Sequence, residues 1–251
     1  MTTVENDRSK SNGGAPPRKP TLDEQIARVT QNLRVFIEPG QVTELRAIKV
    51  RRPSQRYGRP GTESGFFDAD HLPDMARAAL EVTPYAQAVY FVLNPCHPDR
   101  LARRFNRIAV ADEGELAGDK DIACRRWFLV DADPSRDSKV SATDAEKALA
   151  WDTITAVRSF LDSRSWPAPV VGDSGNGYHL LYRIDLPADD GGLVKRLLQA
   201  LARRFASAAV KIDQSVSNPS RCCKLPGTLA RKGDSIPERP HRRAKLLEVP
   251  Q

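Results

Sequence analysis

Apolar residues are nearly absent from the first twenty positions, which are rich in Ser, Asn, Gly, Pro and charge, so residues 1–20 read as a disordered tail. From Thr21 a helical rhythm begins, with Leu22, Ile26, Val29 and Leu33 recurring at spacings of four and three behind a capping residue. Val42 to Val50 is apolar and branched enough for a strand. Arg51 to Ser64 loses that rhythm. With Arg46, Arg51, Arg52, Arg56, Arg59 and Tyr57 set among glycines and prolines, it reads as a mobile basic loop, either solvated or in contact with phosphate. Leu72 to Val82 predicts a helix, Ala86 to Leu93 a strand, and Pro98 to Ile108 a further helix carrying Arg100, Arg103, Arg104 and Arg107 on its exposed side. Those arginines form either a nucleic-acid face or an ordinary charged helix surface. The acidic stretch from Ala111 to Asp121 then marks a boundary. It divides the chain into an N-terminal α/β module (21–110), a linker (111–123) and a second module (124–251).

In the second module, Arg126 to Asp131 is an apolar run stopped by Pro134, and it reads as a buried strand. Thr143-Asp144-Ala145-Glu146 is a capping box, followed by a helix with Ala150, Ile154, Val157 and Leu161 on one side. Val170-Val171 begins a strand, Gly175-Asn176-Gly177 makes a hairpin turn with positive dihedrals at Asn-Gly, and Tyr178 to Ile184 returns. A helix from Gly192 to Ala206 lines up Leu193, Leu197, Leu201 and Phe205, and Ala209 to Ser215 closes the pattern as a strand. The predicted fold class is therefore α+β in two layers. An RRM-like, or ferredoxin-like, β-α-β-β-α-β module has the N-terminal α/β module packed against it. In that arrangement the first and third strands lie at the centre and the fourth beside the first. Asp131, Asp133, His179 and Asp213 would then gather on the face that the two helices leave open.

A net charge of +7 over 251 residues favours a polyanionic partner, although basic proteins are common. Four cysteines without a Cys-Xaa-Xaa-Cys pair read as reduced thiols, with no structural zinc expected. No window approaches a membrane span and the polar amino terminus lacks a signal-peptide core, so the expectation is a cytoplasmic protein without a membrane partner.

Three constellations carry chemistry. Asp131 and Asp133, two apart on a strand, place their Cα atoms roughly 6 to 7 Å apart on one face. With Asp213 they suit Mg²⁺ or Mn²⁺, hard cations that take oxygen ligands. Taken singly, each is also a common strand-end aspartate. Ser174-Gly175-Asn176-Gly177-Tyr178-His179 brings backbone amides and two side-chain donors to one turn, which is either an anion site or a plain hairpin. The basic run Arg221, Lys224, Arg231 and Lys232 follows Asp213 closely, as phosphate or template contacts or as a basic surface.

Taken as an ordered set, Asp-Ala-Asp after an apolar strand, Ser-Gly-Asn-Gly-Tyr-His, the later Ile-Asp, and Lys-Leu-Pro-Gly-Thr-Leu-Ala-Arg-Lys-Gly resemble the archaeo-eukaryotic primase superfamily. The nearest likeness is to primase-polymerase domains of plasmid, phage and bacterial replication proteins. The resemblance covers roughly Arg125 to Lys245, and less of the amino-terminal half. It implies a DNA-templated nucleotidyltransferase, a primase, a primer-extending polymerase or both, with Asp131, Asp133 and Asp213 holding two divalent metals. By the same pattern Ser174 and His179 would contact the phosphates of an incoming NTP or dNTP. Single-stranded DNA would be the template and a separate replicative helicase a candidate partner. Two other functions fit the same frame. A non-catalytic nucleic-acid-binding module would want exposed aromatics on its central strands. A replication-initiator nickase would want a histidine pair and a tyrosine nucleophile.

Overall fold

The computed structural model describes residues 18–53 and 59–250. Most of the expected tail, and Arg56 and Tyr57 of the expected basic loop, lie outside the described residues. The protein is α+β, with two five-stranded sheets whose strand pairs are all antiparallel.

The first half begins with α1 (Leu22–Arg34), capped at Thr21 by a reciprocal box with Glu24. Ile26, Val29, Thr30 and Leu33 form its buried face, whereas Leu22 at the first turn is exposed. It continues with β1 (Val42–Val50), β2 (Gly61–Asp68), α2 (Leu72–Val82), β3 (Ala88–Val92) and β4 (Ala109–Ala111). The stretch from Gly61 to Ser64, expected to be loop, belongs to β2. It pairs there because its buried polar residues find partners: Glu63 takes two bonds of 2.6 Å from Arg52, and the Ser64 hydroxyl bonds Glu44. Arg46 in turn pairs with Glu44 at 2.6 Å.

The helix expected from Pro98 to Ile108 does not form. Pro98–Arg103 is a short 3-10 turn, after which the chain is irregular, with Asn106 at φ 51°. Two side chains account for this. Arg104 turns inward to Glu115 (2.8 Å) and the Val110 carbonyl (2.9 Å), and Phe105 faces solvent, so no apolar stripe holds a helix against the core.

The second half comprises β5 (Cys124–Pro134), α3 (Asp144–Asp162), β6 (Val170–Asp173), β7 (Tyr178–Pro187), α4 (Leu193–Phe205) and β8 (Val210–Ile212). Then come β9 (Cys222–Lys224), β10 (Leu229–Ala230), β11 (Arg242–Arg243) and β12 (Lys245–Glu248). The second sheet runs β12-β6-β7-β5-β8. The first and third strands of the β-α-β-β-α-β unit are thus adjacent and the fourth flanks the first, the order expected. The α4 stripe differs from expectation: Val194, Leu198, Leu201 and Ala202 are buried and Leu193 is exposed. Positions spaced strictly by four advance 40° too far per step at 3.6 residues per turn, so a line of four leucines spirals off the core face.

Helices α3 and α4 pack on one face of the second sheet. The other face, expected to be open, is partly roofed by the first half. Trp127 of β5 lies edge-on to Phe36, with ring centroids 5.2 Å apart, and its indole N–H donates to the Phe36 carbonyl at 3.2 Å. One apolar core runs through both halves, from Leu33, Leu45 and Phe91 to Phe128, Val130 and Leu198. β9 crosses over to pair with β3, giving the first sheet the order β4-β2-β1-β3-β9. Among the described residues no helix is long and apolar enough to cross a membrane.

Candidate active site

Where the roof falls short, a cleft remains between the sheets. Leu129, Asp131 and Asp133 of β5 form one wall, Gln87 with Ala88 and Tyr90 of β3 the opposite one, and residues between Asp213 and Lys232 close one side. Its volume is about 200 Å³. Strand alternation explains the acidic wall: Phe128, Val130 and Ala132 are buried on the helix side, so Leu129, Asp131 and Asp133 face the cleft.

Asp131 and His179 are directly opposed across β5 and β7, which puts both side chains on the same face. His179 Nε2 stands 3.5 Å from Asp131 Oδ1, and its Nδ1 stands 3.7 Å from Cys223 Sγ. Burial disfavours the charged imidazole, but Asp131 and the Cys223 sulfur outweigh it, and the histidine pKa lies well above its ordinary value. Burial likewise disfavours the Asp131 carboxylate, and the adjacent imidazole more than offsets that, holding its pKa below the usual range. Asp133 goes the other way. Burial and then the charge of Asp131 raise its pKa, with Arg136 and Lys232 opposing. The two carboxylates are therefore pushed apart in titration, as expected for like charges sharing a site.

Asp213 lies just beyond β8 rather than within a strand, and caps the 3-10 turn Gln214–Ser217 through a 2.8 Å bond from the Ser215 N–H. Its backbone N–H donates to the Asp131 carbonyl at 2.9 Å, which anchors it beside β5. The other carboxylate oxygen accepts from Arg221 at 3.2 Å. Among the described residues no group of three or more His, Cys, Asp or Glu is gathered tightly enough to hold a metal ion as it stands. The donor chemistry nonetheless fits a hard cation. Three carboxylates line one cleft, and Asp131 Oδ1, 3.5 Å from His179 Nε2, is buried without a hydrogen bond of its own.

The turn between β6 and β7 borders the cleft through Ser174 and Asn176. Gly175, at φ +92°, carries the positive dihedral there; Asn176, expected to need one, does not. The amides expected to face an anion are spent within the turn. Gly175 N–H donates to Asp173 at 2.7 Å, and Gly177 N–H donates to the Ser174 hydroxyl at 3.0 Å. The Asn176 side chain is buried and accepts from the Ala142 N–H at 2.9 Å. Gly177 is required by proximity, since a Cβ there would stand 2.3 Å from the Ala132 carbonyl oxygen and 2.5 Å from Asp133 Oδ1.

Comparison with known proteins gives a likeness of shape alone. No family model and no curated protein matches the chain. Among solved structures it is similar to primase RepB' (11% identity, TM-score 0.44, covering 90% of this chain and 56% of that one). It is also similar to the catalytic domain of primase RepB' in complex with initiator DNA (12%, TM-score 0.44, 90% and 85%). A third is the polymerase domain of Mycobacterium tuberculosis Ligase D in complex with DNA (16%, TM-score 0.46, 88% and 79%). The chain thus spans 56% of the length of the first of these structures.

The basic residues expected at the site divide into two groups. Arg221 and Lys232 line the cleft, Arg221 leaning on Asp213 and Lys232 without an ion-pair partner among the described residues. Lys224 and Arg231 also border it, but their heads are taken. Lys224 is 5% exposed, and its ammonium bonds the Thr228 hydroxyl (2.9 Å) and the carbonyls of Leu229 (3.0 Å) and Val89 (3.3 Å). Arg231 donates to the carbonyls of Ala86, at 3.0 Å, and Thr83. None of Arg103, Arg104 and Arg107 lines the cleft: Arg103 donates to the Gly114 carbonyl, Arg104 is buried, and Arg107 is exposed. The opposite wall was missed in the sequence. Tyr90 and Gln87 sit in or beside a run of apolar β3 residues that carries no sign of a site. Arg136, 3.9 Å from Asp133, was missed as well; its only signal is its place three residues on.

Proposed function

We propose that this cleft is the active site of a DNA-templated nucleotidyltransferase, a primase, a primer-extending polymerase or both, built on an RRM-like frame. The observation that carries this reading is the convergence of Asp131, Asp133 and Asp213 on one cleft, with a cationic side formed by His179, Arg221 and Lys232. The three carboxylates would hold two divalent ions, Mg²⁺ or Mn²⁺. Bound there, such ions supply the charge that activates an attacking 3′-hydroxyl and neutralises departing pyrophosphate.

The chain's own residues supply the rest. His179, kept cationic by Asp131, presents positive charge to the triphosphate of an incoming NTP or dNTP. Arg221 exchanges Asp213 for phosphate oxygens, which frees that carboxylate, and its planar fork suits the purpose better than a lysine would. Ser174 borders the far edge, where its hydroxyl would exchange the Gly177 carbonyl, now 3.1 Å away, for a phosphate oxygen. Lys232 adds a charge to the phosphate path of nucleotide or template. Most of the acceleration in such a reaction comes from positioning and charge stabilisation.

A non-catalytic binding module is disfavoured by the central strands. Trp127, the aromatic on the relevant face of β5, is 8% exposed and packed on Phe36, so it offers no stacking surface. The test incubates the protein with single-stranded DNA, with and without an annealed primer, labelled nucleotides and Mg²⁺ or Mn²⁺. Metal-dependent products that vanish with Asp131→Ala support the reading, and products in the unprimed reaction add priming. DNA binding without synthesis under every condition would replace it with the binding module.

A further inference from the structure

The turn that borders the cleft is held from behind by a buried ion pair to which no role has yet been given. Lys147 lies in the first turns of α3, and its ammonium bonds Asp173 Oδ1 at 2.7 Å, with both side chains about one-tenth exposed or less. The same oxygen accepts the Gly175 N–H at 2.7 Å. The lysine ammonium also lies 4.2 Å from the centroid of the Tyr178 ring, which stands edge-on to Trp151 with centroids 5.0 Å apart. Asp173 and Tyr178 are the closing pair of the β6–β7 hairpin. One ammonium therefore grips both ends of the turn, by an ion pair on one side and a cation–π contact on the other. Asn176 adds a second tie to the start of α3 through Ala142.

This grip reaches the acidic wall. Gly177 packs so closely on β5 that nothing larger fits between it and Asp133. A turn displaced towards β5 therefore meets Asp133, and one displaced away takes Ser174 from the cleft. A buried ion pair is a poor source of stability, because desolvation offsets most of its attraction, so its value lies in fixing a geometry.

We propose that Lys147 and Asp173 are positioning residues that clamp the Ser174–Gly177 turn in register with Asp133, so that nucleotide binding depends on a pair lying outside the cleft. In its catalytic consequence the inference rests on the function proposed above; in its structural part it does not. Lys147→Met alone strands a buried carboxylate and risks unfolding, so the test uses Lys147→Met/Asp173→Asn, a neutral pair of similar size whose Asn carbonyl still accepts from Gly175. Amide hydrogen exchange of Gly175 and Gly177 is read beside the melting temperature and the nucleotide KM and kcat. The expected result is a melting temperature near that of the wild type, turn amides exchanging at least about tenfold faster, and a KM raised about tenfold with a smaller change in kcat. Wild-type exchange at both glycines in the double variant overturns the clamp, whatever the activity. Faster exchange with unchanged KM overturns its link to the nucleotide. If the wild type makes no product, the proposed function fails while the exchange data still decide the clamp.

Discussion

Asp131 and Lys224 make an instructive pair. Both are ionisable groups brought to the same cleft, and both are largely withdrawn from water, yet the fold treats them in opposite ways. Lys224 is given three acceptors, from Val89, Thr228 and Leu229, and its ammonium becomes a rivet between β9, β3 and the following loop. Asp131 is given a histidine at 3.5 Å and no hydrogen bond to its buried Oδ1. An ammonium with three acceptors is committed to them, whereas a carboxylate whose close partner is a histidine 3.5 Å away keeps lone pairs for a further cation. On the function proposed above, the acidic wall does the chemistry and Lys224 is framework.

The largest effect expected from this contrast is at Asp131. Asp131→Asn keeps the shape but removes the charge, and synthesis should fall by at least about 10²–10³-fold while the melting temperature falls, because the buried His179 loses the carboxylate that holds its imidazole charged. Mn²⁺ should raise the melting temperature of the wild type and not that of the variant, through binding to the folded state alone. An Asp131→Asn protein that still extends primers would break the comparison at its stronger end.

Lys224 comes next, and its effect should fall on stability. Lys224→Met leaves three acceptors without their donor and should cost about 2–3 kcal/mol in a denaturant melt, with kcat/KM of the folded fraction within a few-fold of wild type. Burial pushes the Lys224 ammonium down to about 7 from an ordinary 10.5. The folded pKa lies below the unfolded one, so between those values the unfolded chain binds a proton that the folded chain has released. This group should therefore make stability rise with pH across that window, and Lys224→Met should remove the rise. A pH-independent difference between the two proteins would mean that the three acceptors hold the lysine charged.

What the sequence made legible follows the same line. Asp131, Asp133, Ser174, His179 and Asp213 were legible because polar residues at strand ends and in a glycine turn stand out against apolar runs, and β-α-β-β-α-β connectivity says which of them meet. Lys224 was not legible as framework. Grouped with Arg221, Arg231 and Lys232 it reads as a phosphate contact or a basic surface, and only the pairing of β9 with β3 buries it. β2 was hidden for a related reason, since Glu63 and Ser64 look like loop residues until Arg52 and Glu44 are seen beside them. Tyr90 and Gln87 face the site only because the first sheet roofs the second, a packing that no local pattern records.

Arg221 sharpens the comparison from the basic side, because its partner, Asp213, is itself a proposed ligand. Arg221→Gln releases Asp213 and removes a phosphate fork, so the nucleotide KM should rise about tenfold with little loss of stability, the pair being about one-third exposed. The opposite pattern, a stable KM with a lowered melting temperature, would move Arg221 into the same class as Lys224.

The smallest effect separates a charge left free from a charge already used. Lys232 lines the cleft without an ion-pair partner among the described residues, whereas Arg104 is committed to Glu115 and the Val110 carbonyl. Binding of single-stranded DNA, followed by anisotropy across a salt series, reads the number of phosphates neutralised as the slope of log K against log salt. Lys232→Ala should flatten that slope by about one phosphate's worth. Arg104→Met should leave the slope alone and lower the melting temperature. If Arg104→Met flattens the slope instead, its guanidinium leaves Glu115 to meet DNA, and the region after Pro98–Arg103 becomes part of the nucleic-acid path despite its burial in the free protein.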